Sequence, residues 1–235
     1  PAFLAGLGVA RSLGAALAVP VLALSHQENH LEAGLWSAGG SFSGPFLVFH
    51  VSGGTTELVR AERSAASWRL DCLGGSRDLH AGQMIDRTGV ALGLPFPAGP
   101  ALEALAAKAE PLALPVSVQG TWCSFSGPLS AAERLFAAGG VCPAALAGGV
   151  IAVVAQSLIR MAQAAGATTG LRQMLLVGGV MANRQIRAAL AAAANSSGWL
   201  LHFADPACSS DHAIGCAAAV RRWRAEGGGD GLSSE

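Results

Sequence analysis

Pro45-Phe46-Leu47-Val48-Phe49-His50-Val51-Ser52-Gly53-Gly54-Thr55-Thr56-Glu57-Leu58-Val59-Arg60 reads as strand, turn, strand. An apolar run ends at Val51, two glycines follow between hydroxyl residues, and a second β-prone run starts at Glu57, the pattern of a β-hairpin. A Gly-Gly turn exposes several backbone N–H groups and lets a phosphate approach the main chain, although a plain tight hairpin uses the same residues. A second stretch, Gln173-Met174-Leu175-Leu176-Val177-Gly178-Gly179-Val180-Met181-Ala182-Asn183, reads as a buried parallel-type strand, two glycines and the start of a helix reaching about Ala194. That order aims backbone amides and a helix dipole at a nucleotide. It is not GxGxxG, so it is no dinucleotide fingerprint. An antiparallel hairpin and a strand feeding a helix make the chain α/β.

Working outward, Leu24-Ser25-His26-Gln27-Glu28-Asn29-His30 holds two histidines four apart. On a helix both imidazoles share one face, one turn apart, and can share one metal ion. The apolar run Val19–Leu24 reads as a buried strand, so the pair opens a helix at a strand's carboxyl end, where α/β sheets place ligands. An isolated HxxxH equally describes two histidines on a wet helix face. Helices are expected over 3–18 (buried), 78–93, 101–109, 129–138, 144–165 (central and apolar) and at the end to about Arg224. Strands are expected over 68–73, ended by Gly74-Gly75, and over 199–203. Residues 37–45 read as a loop and lobe boundary, 94–100 as a helix break, 111–120 as extended and irregular, and 122–128 as a polar-aromatic loop or short strand. There is no internal repeat.

The 235 residues carry 15 basic and 15 acidic side chains, a formal net charge of zero. That balance speaks against a strongly basic nucleic-acid surface. No run of side chains reads as a membrane span of ~20 apolar residues, and the first residues lack the charged n-region of a signal peptide. The cysteines (Cys72, Cys123, Cys142, Cys208 and Cys216) are odd in number and form no CxxC pair. They read as reduced thiols of a cytosolic protein, each a small core residue rather than a nucleophile.

Taken in order, these blocks resemble the universal tRNA threonylcarbamoyladenosine synthase family, TsaD in bacteria, once labelled O-sialoglycoprotein endopeptidase. The paired-histidine motif matches His26-Gln27-Glu28-Asn29-His30, and the family's VSGGHT matches Val51–Thr56. AGEAFDK…GLPYPGGP matches Ala81–Arg87 and Gly93–Pro100. FSFSG matches Cys123–Gly127, GGVAAN matches Gly178–Asn183, and TDNAA matches Ser210-Asp211-His212-Ala213. The resemblance implies an actin-like ATPase fold (the sugar kinase, heat-shock protein and actin class, RNase H-like), two lobes with nucleotide in the cleft. Residues 1–40 are then the C-terminal part of a first, incomplete lobe, 45–225 the second lobe with the nucleotide and metal site, and 226–235 a flexible tail.

The family's metal ligands fall on His26, His30 and Asp211, for one Fe(II) or Zn(II) per subunit. Its contacts to ATP, AMP or threonylcarbamoyl-AMP fall on Val51, Ser52, Gly53, Gly54, Asp86, Gly99 and Asn183. The implied reaction moves the threonylcarbamoyl group from threonylcarbamoyl-AMP, made by a separate synthase, to N6 of adenosine 37 of tRNAs reading ANN codons. No side chain serves as nucleophile. The implied partners are tRNA, a TsaB-like paralogue and a TsaE-like ATPase, in the cytoplasm. Departures from the family pattern are Thr55 for histidine, Leu79 for aspartate, Gln83 for glutamate, Leu129 for lysine, and an extra serine between Cys208 and Asp211. The alternatives are a non-catalytic nucleotide-binding partner subunit and a related carbamoyltransferase of the hydrogenase-maturation or antibiotic-tailoring kind. A metalloendopeptidase fits less well, because HExxH needs glutamate directly after the first histidine and Gln27 stands there.

Overall fold

Six consecutive buried residues make β1 (Phe46–Val51) an interior strand of a seven-stranded sheet. The structure is a computed structural model and describes residues 2–39, 41–64, 67–208 and 213–226. β1 runs antiparallel to β2 (Thr56–Ser64), which pairs antiparallel with β3 (Ser67–Ser76). On its other side β1 runs parallel to β6 (Gln173–Val177), and β6 parallel to β7 (Leu200–Phe203). Two short strands, β4 (Ser117–Gln119) and β5 (Trp122–Ser124), extend the β3 edge, giving the order β4-β5-β3-β2-β1-β6-β7. The five strands β3-β2-β1-β6-β7, with only β2 running against the others, make an RNase H-like lobe of the actin-like ATPase fold.

Both sheet faces are covered, which is why β1 is apolar on both sides. Leu47, Phe49 and Val51 point into the larger core, with α3 (Ala81–Ala91), α4 (Gly99–Ala106), α5 (Ser126–Ala137), α6 (Pro143–Thr169) and α7 (Arg184–Ser197). Phe46 and Val48 point the other way, into a smaller core with Leu31 of α2 (His26–Ala38). Gly34 lets α2 press onto β6: a Cβ there would lie 2.5 Å from Val177 Cγ1. The last helix, α8 (Ile214–Ala225), lies on α2 at Gly215, where a Cβ would meet the Asn29 carbonyl oxygen at 1.9 Å.

Four expectations need correction. α1 (Ala2–Leu17) is a helix but not a buried one, since Leu13 is 55% and Leu17 67% exposed. Val19–Leu24 is extended but in no strand; a β-prone run becomes a strand only beside a neighbouring strand that takes its N–H and C=O groups, and none lies there among the described residues. Gly74 and Gly75 do not end β3 but lie within it, where Gly74 admits the Thr121 carbonyl of the β4–β5 turn. Finally, α6 is long and apolar enough to cross a membrane by composition, yet most of it is buried and it forms the core's central helix.

Candidate functional site

The β1–β2 turn is closed by the Ser52 amide donating to the Thr55 carbonyl at 2.8 Å, and Gly54 donates to Ser52 Oγ at 3.2 Å. A Cβ added to Gly53 or Gly54 would meet no atom within 4 Å. Packing within the chain therefore does not demand these glycines; they keep the space before the main chain open. Gly82 behaves oppositely. It donates to the Ser52 carbonyl, and a Cβ there would strike Ser52 O and Gly53 at 2.6–2.7 Å. Thr56 Oγ1 accepts from Ala81 N at 2.9 Å, so the positive end of α3 is pinned beside the turn.

From there a cavity of about 430 Å³ opens, lined by Gly53, Asp86, Gly99, Glu103, Gly179 and Asn183, among others. Its size is that of a small-ligand or cofactor site. Asp86 Oδ1 accepts from Ala98 N at 2.8 Å and so holds the loop leading into α4. A Cβ on Gly99 would touch only Ile85, at 4.0 Å. Asn183 Oδ1 caps α7, accepting from Gln185 N and Ile186 N at 3.0 Å, which leaves the NH2 of its amide outside the cap. Four of the seven expected nucleotide residues, Gly53, Asp86, Gly99 and Asn183, thus line one cavity. Ser52 and Gly54 belong to its bordering turn. Val51 differs: its side chain is fully buried in the larger core, and its carbonyl lies where a Cβ on Gly178 would come, at 2.3 Å. Glu103 was not legible as a site residue. It stands one turn beyond Gly99 and accepts from Arg184 N at 2.8 Å, joining α4 to the start of α7.

The histidine pair is set by a capping box. Ser25 Oγ accepts from Glu28 N at 3.2 Å, and Glu28 Oε2 accepts from Ser25 N at 2.8 Å. Glu28 is thereby occupied in holding the helix start, which removes it further from a zincin-type base. His26 Nε2 and His30 Nε2 lie 3.2 Å apart, their rings edge-to-face at 4.5 Å. Two nitrogens on one tetrahedral ion at ~2.0–2.1 Å each lie about 3.3 Å apart, so the pair fits a shared ion. Gln27 Nε2 donates to Glu57 Oε2 at 2.9 Å and ties α2 to the strand leaving the glycine turn. Asn29, between the two histidines, accepts from Cys216 N of α8 at 2.9 Å. Asp211 lies outside the described residues, as does 227–235 of the expected tail. Among the described residues no three His, Cys, Asp or Glu side chains are arranged to hold a metal ion. His50 joins the pair, however, with its ring 4.6 Å from that of His30. The one signal for it was a histidine inside an otherwise apolar strand.

The departures from the family pattern have structural places. Leu79 and Leu129 are both buried in the larger core, so a charge has been exchanged for packing. Gln83 Oε1 accepts from His80 N at the start of α3, and the Thr55 carbonyl closes the glycine turn. Asp78 gathers the Ser124 and Ser126 hydroxyls and the Leu79 and Phe125 amides. Burial pushes its carboxyl up, but those hydroxyls and amides outweigh it and hold the carboxyl well below the usual carboxylate range. Of the cysteines, Cys123 and Cys208 are buried, whereas Cys72, Cys142 and Cys216 are exposed rather than core residues. Burial pushes the Cys123 thiol up to about 12, so it is no nucleophile.

Residues 1–216 match the family described as TsaD: tRNA N6-adenosine threonylcarbamoyltransferase. The tRNA N6-adenosine threonylcarbamoyltransferase of Variovorax paradoxus (strain S110) is 36% identical over 231 residues, 94% of this chain and 64% of the relative. That of Methanopyrus kandleri is 36% identical over 189 residues, 79% of this chain and 53% of the relative. The chain therefore spans less than two thirds of the length of these relatives. Among solved structures, full-length HypF in its phosphate- and nucleotide-bound form superposes with a TM-score of 0.68 at 12% identity, over 87% of this chain and 43% of HypF. HypF of T. kodakarensis gives 0.64 at 13% identity, over 94% of this chain and 39% of that one. At such identities the likeness is one of fold.

Proposed function

The chain belongs to the TsaD family of tRNA N6-adenosine threonylcarbamoyltransferases, and on that premise we propose that it transfers the threonylcarbamoyl group of threonylcarbamoyl-AMP to N6 of adenosine 37 of tRNAs reading ANN codons. One observation carries the reading: the Gly53–Asp86–Gly99–Asn183 cavity and the His26–His30 pair are fastened to the same glycine turn, the first through Gly82 and the second through Gln27 and Glu57.

In this reading Ser52, Gly53 and Gly54 present main-chain N–H groups to the phosphate, and the N-terminus of α3 adds its dipole. Asp86, with Oδ1 committed to Ala98 N, accepts ribose hydroxyls through Oδ2. Asn183 donates its amide NH2, and Gly99 admits the nucleoside to the main chain. His26 and His30, with Asp211 as third ligand, would hold one Fe(II) or Zn(II), which would supply Lewis acidity to the acyl transfer. Bond for bond, N6 of the adenosine forms a bond to the carbamoyl carbon, the bond from that carbon to the phosphate oxygen breaks, and AMP leaves. The N6 proton goes to solvent or to the departing phosphate. No protein nucleophile takes part. The synthase supplying threonylcarbamoyl-AMP is a separate protein, and a TsaB-like paralogue and a TsaE-like ATPase are the partners. Residues 1–40 are read as the end of a first lobe and 45–225 as the second.

The test is metal content and ATP binding of the purified chain beside a His26→Ala/His30→Ala double variant. The expected result is iron or zinc near one per chain, lost in the variant, with ATP affinity retained. Metal in neither form, with ATP still bound, sinks the metal-dependent transferase and leaves the nucleotide-binding partner subunit.

A further inference from the structure

We propose that a second cavity, enclosed by α2, α8 and the β2–β3 strands, binds a small aromatic carboxylate. The ring lies against Trp36 and Trp68, and the carboxylate takes the place of Glu226 on Arg63 and Arg222.

This cavity holds about 370 Å³, the size of a small-ligand site, and none of its lining residues lines the Gly53 cavity. Its apolar wall is a row of rings. Phe42 packs on Phe46 with centroids 4.5 Å apart, and Phe46 meets Trp68 edge-on at 5.8 Å. Trp36 of α2 also lines it and is 53% exposed. A tryptophan facing water beside a ring-lined cavity offers a planar ligand a surface to stack on.

The polar wall is built from the inside. Glu32 of α2 is only 3% exposed, a charge that is costly in an apolar setting unless it is paired. It accepts from Trp68 Nε1 at 2.7 Å and from Arg222 Nε at 2.9 Å. An aliphatic residue would pack there with no charge to satisfy, so what the carboxylate adds is orientation. It sets the Trp68 indole and, 5.7 Å above that ring, the Arg222 guanidinium.

Beyond this buried pair, Glu226 shows where a carboxylate is received. Arg63 holds its Oε1 and Arg222 its Oε2, one guanidinium to each oxygen. Glu226 stands at the end of α8 with its side chain 40% exposed, and an ion pair so open to water contributes little, so a ligand carboxylate can displace it. The remaining charges favour an anion. Burial pushes the Arg63 guanidinium down and the like charge of Arg222 pushes it the same way, against a smaller opposite pull from Glu32; a bridging carboxylate offsets that repulsion. Arg221 lines the same cavity and makes no ion pair among the described residues.

The experiment is calorimetric titration of the purified chain with β-naphthoate and with its neutral amide, β-naphthamide, beside the variants Trp36→Ala, Arg63→Ala and Glu226→Gln. All three positions are exposed, so far-UV circular dichroism should be unchanged. The acid should bind at least about 10-fold more tightly than the amide, and Arg63→Ala should abolish that difference. Trp36→Ala should weaken both compounds, by up to about 10-fold. Glu226→Gln, which removes the competing carboxylate, should tighten the acid and leave the amide as it was. ATP, and Co(II) as a coloured substitute for zinc at the histidine pair, should bind every variant as they bind the parent. Equal affinity for acid and amide overturns the proposal, because the cavity would then take rings without reading charge. A Glu226→Gln variant that binds the acid no better than the parent overturns the displacement, and parent-like binding in Trp36→Ala overturns the placing of the ring. No binding of either compound by parent and Glu226→Gln alike overturns the site itself, and the transferase reading stands apart from each of these outcomes.

Discussion

Asp78 is the residue that fastens the sheet edge to the helix carrying Asp86. It collects donors from the loop before α3 and from the β5–α5 junction, 46 to 48 positions further along the chain. As a carboxylate it accepts all of them; as an amide it cannot. Because Asp78 is exposed, solvent screens the interaction, and Asp78→Asn is expected to lower stability at pH 7 by only about 1–2 kcal/mol. The sign of the pH dependence is fixed. A carboxyl whose folded pKa is depressed contributes fully above its unfolded value of ~3.9 and loses that contribution as pH falls toward the folded one. The gap between parent and variant should therefore narrow below about pH 4. Urea unfolding at pH 7 and pH 3 measures it, and an equal gap at both would show that charge plays no part in the clasp. Asp78 was legible only as a residue near a helix start, because its partners are remote in sequence. His26 and His30 stood out by their own spacing, whereas Asp86, Gly99 and Asn183 stood out only through the resemblance of their blocks to the family. His50 and Glu103 did not, since their contacts exist only once β1 meets α2 and α4 meets α7.

The element that decides the geometry of the histidine pair is α2, held between β6 and α8. Two glycines allow those approaches, and they are not equivalent. A Cβ on Gly34 would meet a side-chain methyl of Val177, which can rotate away. A Cβ on Gly215 would meet the backbone carbonyl of Asn29, which can move only if the helix does. Gly215→Ala should therefore cost about 1–3 kcal/mol by overpacking and Gly34→Ala less. Since Asn29 lies between His26 and His30, the Gly215 variant should also bind Co(II) more weakly. Chemical denaturation and Co(II) titration of both variants test this, and the reverse order of damage would mean that α8 is free to adjust. Neither glycine stands out by local pattern. Element types were nonetheless mostly readable, because periodicity and glycine punctuation are local signals. The failures were non-local. Val19–Leu24 has strand composition but no strand beside it among the described residues, and α1 has the composition of a buried helix but leaves Val9, Leu13 and Leu17 more than half exposed.

At the scale of the whole molecule, the apolar surface is unevenly distributed. The sheet buries both faces, and α6 is enclosed despite a composition fit for a membrane. The segment before α2 does the opposite: Val9, Leu13, Leu17, Val19 and Val21 are 40–67% exposed and close together along the chain. Strand and helix signals made the α/β class readable, and the RNase H-like lobe followed only from the resemblance of the ordered blocks to the family. How the first 25 residues are covered was not, because that depends on surfaces outside this sheet. Exposed apolar groups set along one helix are a contact surface. The chain should therefore self-associate as its concentration rises, and Leu13→Lys with Leu17→Lys should shift it toward monomer. The substituted positions contact neither core, so Co(II) and ATP binding should be unaffected. Sedimentation velocity across a concentration series decides the matter. Association that disappears in the double variant assigns it to α1. A parent that stays monomeric throughout shows that these side chains do not hold chains together, and association that survives the substitutions puts the contact elsewhere on the lobe.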